Sequence, residues 1–209
     1  ISGTTTVCQN DGNPVITVMG SGGTPPYIFT FSVNNSVTQT MLTSVANPTG
    51  FIFIRTSMVG TTVYSLINVR DSGTLVCSQA QSGSAVITVN PVPIANPATL
   101  SYCDLAELPI YNLSDANNQI TGANPGVTVT YYETLADAQT GSSALALPQA
   151  YVPLIIPGVQ TLYASVSDPS TGCFSITTLT LNTHNCATTC PAPPLVSVTN
   201  ITDTTFMLS

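Results

Sequence analysis

Hydrophobic and polar residues alternate with a period of two along most of this chain, the pattern of strands with one face buried. In the first ninety residues "VITVM" (15–19), "YIFTFSV" (27–33), "FIFIRT" (51–56), "TTVYSLINV" (61–69) and "AVITV" (85–89) are β-branched and aromatic runs parted by Gly, Pro, Asn and Ser clusters. Tyr27, Phe29, Phe31 and Val33 fall on one face, as a half-buried strand requires. Further on, "VTVTYY" (127–132), "QTLYASVS" (160–167) and "CFSITTLTLN" (173–182) resume the pattern. The exception, "ETLADAQTG", offers Thr134 as a cap with Asp137 three residues on, and predicts a single helical turn or two. The remainder reads as all-β, in the sandwich class where short strands recur with turn signals between them.

An internal repeat organises these strands. Cys8 and Cys77 are 69 positions apart, Cys103 and Cys173 are 70 apart, and the two pairs are offset by 95 and 96, the length of a small β-sandwich. Related phrases precede the second cysteine of each pair, "VYSLINVRDSGTLVC" and "TLYASVSDPSTGC", matching Tyr64 with Tyr163, Val69 with Val166 and Asp71 with Asp168. Between the copies lies "VITVNPVPIANPATLSYC", whose prolines resist helix and central sheet. The predicted organisation is a β-sandwich over 1–91, a Pro-rich linker over 92–98, a second sandwich with one short helical turn over 99–183, a Cys/Pro-rich joint over 184–194, and the first strands of a truncated unit over 195–209.

The repeat predicts that Cys8 pairs with Cys77 and Cys103 with Cys173, each bridge fastening a first-strand region to a penultimate one within its own module. Closing a loop of about 70 residues contributes on the order of 4 kcal/mol in the chain-entropy picture. On this reading the rod depends on bridges that stay inside their modules. Cys186 and Cys190 either bridge each other or clamp the second module to the next unit of the chain. The metal alternative for this CxxxC lacks its other ligands, since His184 is the sole histidine.

Composition narrows the partners. Two arginines, Arg55 and Arg70, stand against nine acidic residues, and there is no lysine, which argues against nucleic acid and against an anionic membrane surface. No apolar run reaches the roughly 20 residues needed to span a bilayer, so this segment does not insert directly into a membrane. The opening "ISGTTTVC" lacks the regions of a signal peptide, so the export signal and any anchor are expected on parts of a longer chain. All the cations lie in the first module. The second carries Asp104, Glu107, Asp115, Glu133, Asp137 and Asp168 uncompensated, which keeps it soluble.

The residues also carry a resemblance. "CQNDGNPVITVMGSGGTPPYIFTF" resembles the opening of the PKD-like and SprB-type repeats of large surface adhesins of gliding Bacteroidota. "VTVTYYETLADAQTGSSAL", followed by "TLYASVSDPSTGCFSITTLTLN", is similar to the Ig-like repeats found beside them, and "CPAPPLVSVTNITDTTFMLS" to the start of a fibronectin type III domain. The resemblance implies tandem Ig-like and PKD-like β-sandwiches, type IX secretion, cell-surface display and a link to gliding motility. Such Ig-like repeats often open on Cys-Asp and a Gly-rich acidic segment. "CDLAELPIYNLSD" lacks that Asp-Gly core, which leaves Asp104, Glu107 and Asp115 as weak calcium candidates, with no other cofactor or metal expected.

No catalytic constellation is evident: His184 stands alone, and "GSGG" (20–23) lacks the lysine and helix of a phosphate loop. The expectation is a non-enzymatic structural segment of an extracellular adhesin or filament shaft, touching neighbouring domains, other surface proteins or polysaccharide. The alternative is a carbohydrate-binding module whose exposed aromatics stack on sugar rings; Tyr102, Tyr111, Tyr131, Tyr132 and Tyr151 are the dense tyrosine group, and alternation makes half of them core. Asn34, Asn112 and Asn200 occupy N-x-Ser/Thr sites, and the resemblance adds Thr204, in "DTT", as an O-glycosylation candidate.

Overall fold

The computed structural model describes residues 1–104 and 108–185. Glu107, Cys186, Cys190, Asn200, Thr204 and the whole stretch 195–209 lie outside the described residues, as does the side chain of Asp104. The described chain is mostly β-sheet, as its alternation predicts.

Residues 1–90 form eight strands: β1 (Thr5–Cys8), β2 (Val15–Met19), β3 (Ile28–Val33), β4 (Val37–Leu42), β5 (Thr49–Phe53), β6 (Gly60–Arg70), β7 (Ser78–Ala80) and β8 (Ser84–Asn90). Five of them run in the order β1-β8-β6-β3-β4, with β7 on β6, while β2 and β5 pair as a separate ribbon. The alternation dictates how the two layers meet. Ile16 and Val18 turn inward from β2, Phe29 and Phe31 from β3 and Ala85, Ile87 and Val89 from β8, all of them buried. Tyr27 is buried too, and its hydroxyl donates to the Gly23 carbonyl at 2.8 Å, so "GSGG" leads into a turn tied to the ring that follows it. Asn34 and Asn35 both take positive φ, 50° and 56°, in the tight turn joining β3 to β4.

No helix or strand occupies 91–97. Then come β9 (Ala98–Asp104), α1 (Asn117–Thr121), β10 (Thr128–Tyr132), α2 (Leu135–Thr140), β11 (Gly158–Ser167) and β12 (Phe174–Asn185), with the strands ordered β10-β11-β12-β9. One face of this sheet presents Tyr131, Leu162, Ala164, Val166, Leu179 and Leu181. It is covered by Leu113, Ala116 and Ile120, from a 3-10 turn (Leu113–Ala116) and α1, rather than by a second sheet. The expected single helical element is α2, where Thr134 Oγ1 accepts from Asp137 N at 3.1 Å. The strand pattern does not predict the covering segment. Its signals are Asn112, which caps the 3-10 turn by accepting from Ser114 N, and Gly122 at φ 63°, which ends α1.

Candidate functional site

The predicted disulfide pairing is overturned. Cys8 is bonded to Cys173, 165 positions away, with Cα atoms 5.6 Å apart, and Cys77 is an exposed free thiol. Cys103 is disulfide-bonded as well, and not to Cys173. Strand register supplies the physical reason. Cys8 ends β1 beside Asn90, and Val89 pairs with Gly60, so Cys8 sits where β6 begins. Cys77 precedes Ser78, which pairs with Arg70 where β6 ends. At about 3.3 Å per residue the length of β6 separates those ends by roughly 33 Å, against the roughly 7 Å beyond which two cysteine Cα atoms cannot be bridged.

The second half repeats that geometry. Cys103 pairs in register with His184, whereas Cys173 immediately precedes Phe174, where β12 starts. The correspondence between the two cysteine pairs is therefore sound, and it is the step from correspondence to bonding that fails. In each half the first-strand cysteine stands at one end of the sheet and the turn cysteine at the other. Placed head to tail, the far end of the first half meets the near end of the second, and Cys8 meets Cys173.

Both cysteines are presented by pinned loops. After Cys8 the chain turns, with Asp11 N donating to the Cys8 carbonyl at 3.1 Å and Asn10 N to the Thr56 carbonyl at 3.0 Å. Thr56 Oγ1 donates to the Asp11 carbonyl at 2.8 Å, which ties this turn to the chain leaving β5. Cys173 ends the turn between β11 and β12, where Asp168 N donates to the Cys173 carbonyl at 2.9 Å and Gly172 adopts φ 74°. Asp168 Oδ1 accepts from the Ser170 hydroxyl at 2.6 Å and from Ser170 N at 2.8 Å, bonds that hold its carboxyl below the usual carboxylate value. Cys173 is fully buried, and a recess of about 350 Å³ lined by Cys8, Gln9, Asn10, Asp11, Val92, Gly172 and Phe174 marks the joint.

The equivalent loop in the first half is built alike: Asp71 N donates to the Cys77 carbonyl at 3.0 Å. Asp71 also accepts from Cys77 N at 2.8 Å and from Thr24 N at 3.2 Å, and these bonds lower its pKa.

The tyrosine cluster does not form a sugar-stacking face. Tyr111, Tyr131, Tyr132 and Tyr151 are buried, and of the five only Tyr102 is exposed, its ring 5.7 Å from that of Tyr111. Tyr111, Tyr131 and Tyr151 pack in the core of the second half. The Tyr131 hydroxyl donates to the Leu113 carbonyl at 2.8 Å, and its pKa is raised by burial and, secondarily, by the charge of Asp115. Tyr111 and Tyr151 bridge through their backbones, at 2.8 and 3.0 Å.

Of the calcium candidates, Asp115 accepts from Asn112 Nδ2 at 2.8 Å. Among the described residues no three His, Cys, Asp or Glu side chains converge on a point that could hold a metal ion. Asn112, a glycosylation candidate, uses its amide in the cap, and Asn34 Oδ1 accepts from Val63 N at 2.8 Å. No helix among the described residues is long and apolar enough to cross a membrane.

Residues 99–187 match the family described as the Flavobacterium inter-domain disulphide bond domain. The matched stretch includes Cys173 and Cys103. No curated protein matches the chain. Among solved structures it is similar to a Ca2+-stabilized adhesin with which an Antarctic bacterium binds ice, at 14% identity over 86% of this chain and 46% of that one, with a TM-score of 0.41. It is also similar to a Bacteroides ovatus protein, SGBP-B of a mixed-linkage glucan utilization locus, at 13% identity over 88% of this chain and 43% of that one, TM-score 0.28. An endo-fucoidan hydrolase of glycoside hydrolase family 107 is 14% identical over 88% of this chain and 28% of that one, TM-score 0.27. The chain spans less than half the length of each of these solved chains.

Proposed function

We propose that the chain is a structural segment of a large extracellular surface adhesin or filament shaft, two β modules held head to tail so that a distal binding part is kept at a distance. The observation that carries this reading is the Cys8–Cys173 bond. Two folded units joined by one stretch of chain can swing about it. A second covalent connection beside the 91–97 segment removes most of that freedom.

The bond replaces the within-module bridges expected from the repeat, and it moves the source of stiffness from inside each module to the joint. The match of residues 99–187 to a family described by an inter-domain disulphide supports this, as does a disulfide chemistry suited to oxidising surroundings. Acidic composition without lysine fits a surface that repels its neighbours and stays soluble. Export by type IX secretion, a role in gliding and a further fibronectin type III unit belong to the same proposal, and rest on the resemblance of the repeats.

Backbone relaxation of the ¹⁵N-labelled chain tests it. With the bond intact, both halves give one rotational correlation time; Cys173→Ser gives two shorter ones. Halves that already tumble separately with the bond intact would defeat the spacer.

A further inference from the structure

On the outer face of the second sheet, away from its core, lies a groove of about 250 Å³. Register places its floor in rows: Thr130 opposite Ser165, then Ser167 opposite Phe174. Residues 138–141, spanning the last turn of α2 and Gly141, form the wall, with Gln139 and Thr140 facing in. We propose that this groove binds a neutral sugar unit of a glycan.

Three observations identify the ligand chemistry. No lining residue is charged, so a charged group entering the groove would lose water without gaining a counter-charge. The lining is instead rich in hydroxyls, with one carboxamide, groups that both donate and accept as sugar hydroxyls do. Ser165 is only 8% exposed, and no described residue hydrogen-bonds its hydroxyl. No side-chain oxygen among the described residues is both sealed from solvent and unpartnered, so Ser165 Oγ opens into the groove it lines. A wholly aliphatic ligand would leave that hydroxyl unsatisfied.

Phe174 completes the site. It is 46% exposed at the edge of the groove, an aromatic ring available to the C–H face of a pyranose. The groove is smaller than the roughly 300–1,000 Å³ of pockets that enclose drug-sized ligands, so it takes one ring at a time and binds weakly. Many copies along a surface filament would convert weak single sites into avidity. Tyr132, itself buried, also lines the groove, and the site does not depend on the chain being a stiff spacer.

The test is a titration of the ¹⁵N-labelled 209-residue chain with cellohexaose, laminarihexaose and mannohexaose, and with hexagalacturonate as the anionic control, each to about 10 mM. At least one neutral oligosaccharide shifts the amides of Gln139, Ser165 and Phe174 saturably, and the uronate does not. Phe174→Ala weakens that binding about tenfold or more and Ser165→Ala about fivefold, with the remaining spectrum unchanged. Phe174→Ala, at an exposed position, keeps the test decisive if Ser165→Ala disturbs the sheet. No saturable shift at the groove with any neutral oligosaccharide, equal binding of the uronate, or undiminished binding by folded Phe174→Ala overturns the proposal.

Discussion

Cys8, at the end of the first strand, is bonded to Cys173, the last residue of a turn 165 positions later. The bond joins the far end of one sheet unit to the near end of the next. Its position decides the chemistry of a further cysteine as well. Cys77, the counterpart of Cys173 in the first half, is left exposed and unbonded.

Alkylation without reduction checks this directly. Iodoacetamide modifies Cys77 in the folded protein, while Cys8 and Cys173 take the label only after reduction. Protection of Cys77 together with labelling of Cys8 would restore a different pairing.

Replacing one partner should separate the two halves energetically. The chain-entropy estimate for a loop of this length is about 5 kcal/mol, an upper figure because the halves retain their own cores. Cys173→Ser is expected to lower the main calorimetric transition and to split it, each half then melting by itself. A single unshifted transition would show that the bond contributes nothing to coupling.

Acid should destabilise the protein through three hydrogen-bonded carboxylates. Asp168 and Asp137 are held below the ordinary value of 3.8 chiefly by side-chain hydrogen bonds from Ser170 and from Thr134, and Asp71 by backbone bonds from Cys77 and Thr24. A carboxyl whose folded pKa lies below its unfolded value contributes stability above the unfolded value and loses it as pH falls through the folded one. The thermal midpoint is therefore expected to hold from neutrality down to about pH 5 and to fall below about pH 4. Asp168→Asn, which cannot titrate, should flatten part of that fall.

Removing the Tyr131 hydroxyl tests the covering segment of the second half. Tyr131 is 2% exposed, and its oxygen also stands 2.5 Å from Asn117 Oδ1. Tyr131→Phe leaves the buried Leu113 carbonyl without that donor, at an expected cost of about 1–3 kcal/mol in denaturant unfolding. An equal loss from Tyr102→Phe, at a ring exposed on the edge strand β9, would contradict the assignment.

Trypsin has only Arg55 and Arg70 to cut after, a consequence of composition alone, and both side chains are exposed. Digestion is expected to stop at those two positions even in the unfolded chain.

Much of the molecule was legible in the order of its residues, because alternation is a local property. Every β-branched run singled out between Val15 and Asn182 overlaps a strand, Tyr27, Phe29 and Phe31 are buried together, and Thr134 caps α2. Asp71 and Asp168, matched by their phrases, close equivalent turns through bonds to Cys77 and Cys173. Local signals missed the covering segment, whose apolar residues Leu113, Ala116 and Ile120 follow no strand period and acquire meaning only once a sheet lies beneath them. Alternation also makes only half of the five tyrosines core, whereas packing buries four of them.

The sequence by itself determined which residues form strands and which cysteines stand at corresponding places, since alternation and the phrases around each cysteine are written in neighbouring residues. Which sulfurs meet was decided only by tertiary structure. Register sets Cys8 and Cys77 at opposite ends of one sheet, a strand's length apart, and the end-to-end placement of two sheets brings Cys8 within bonding reach of Cys173.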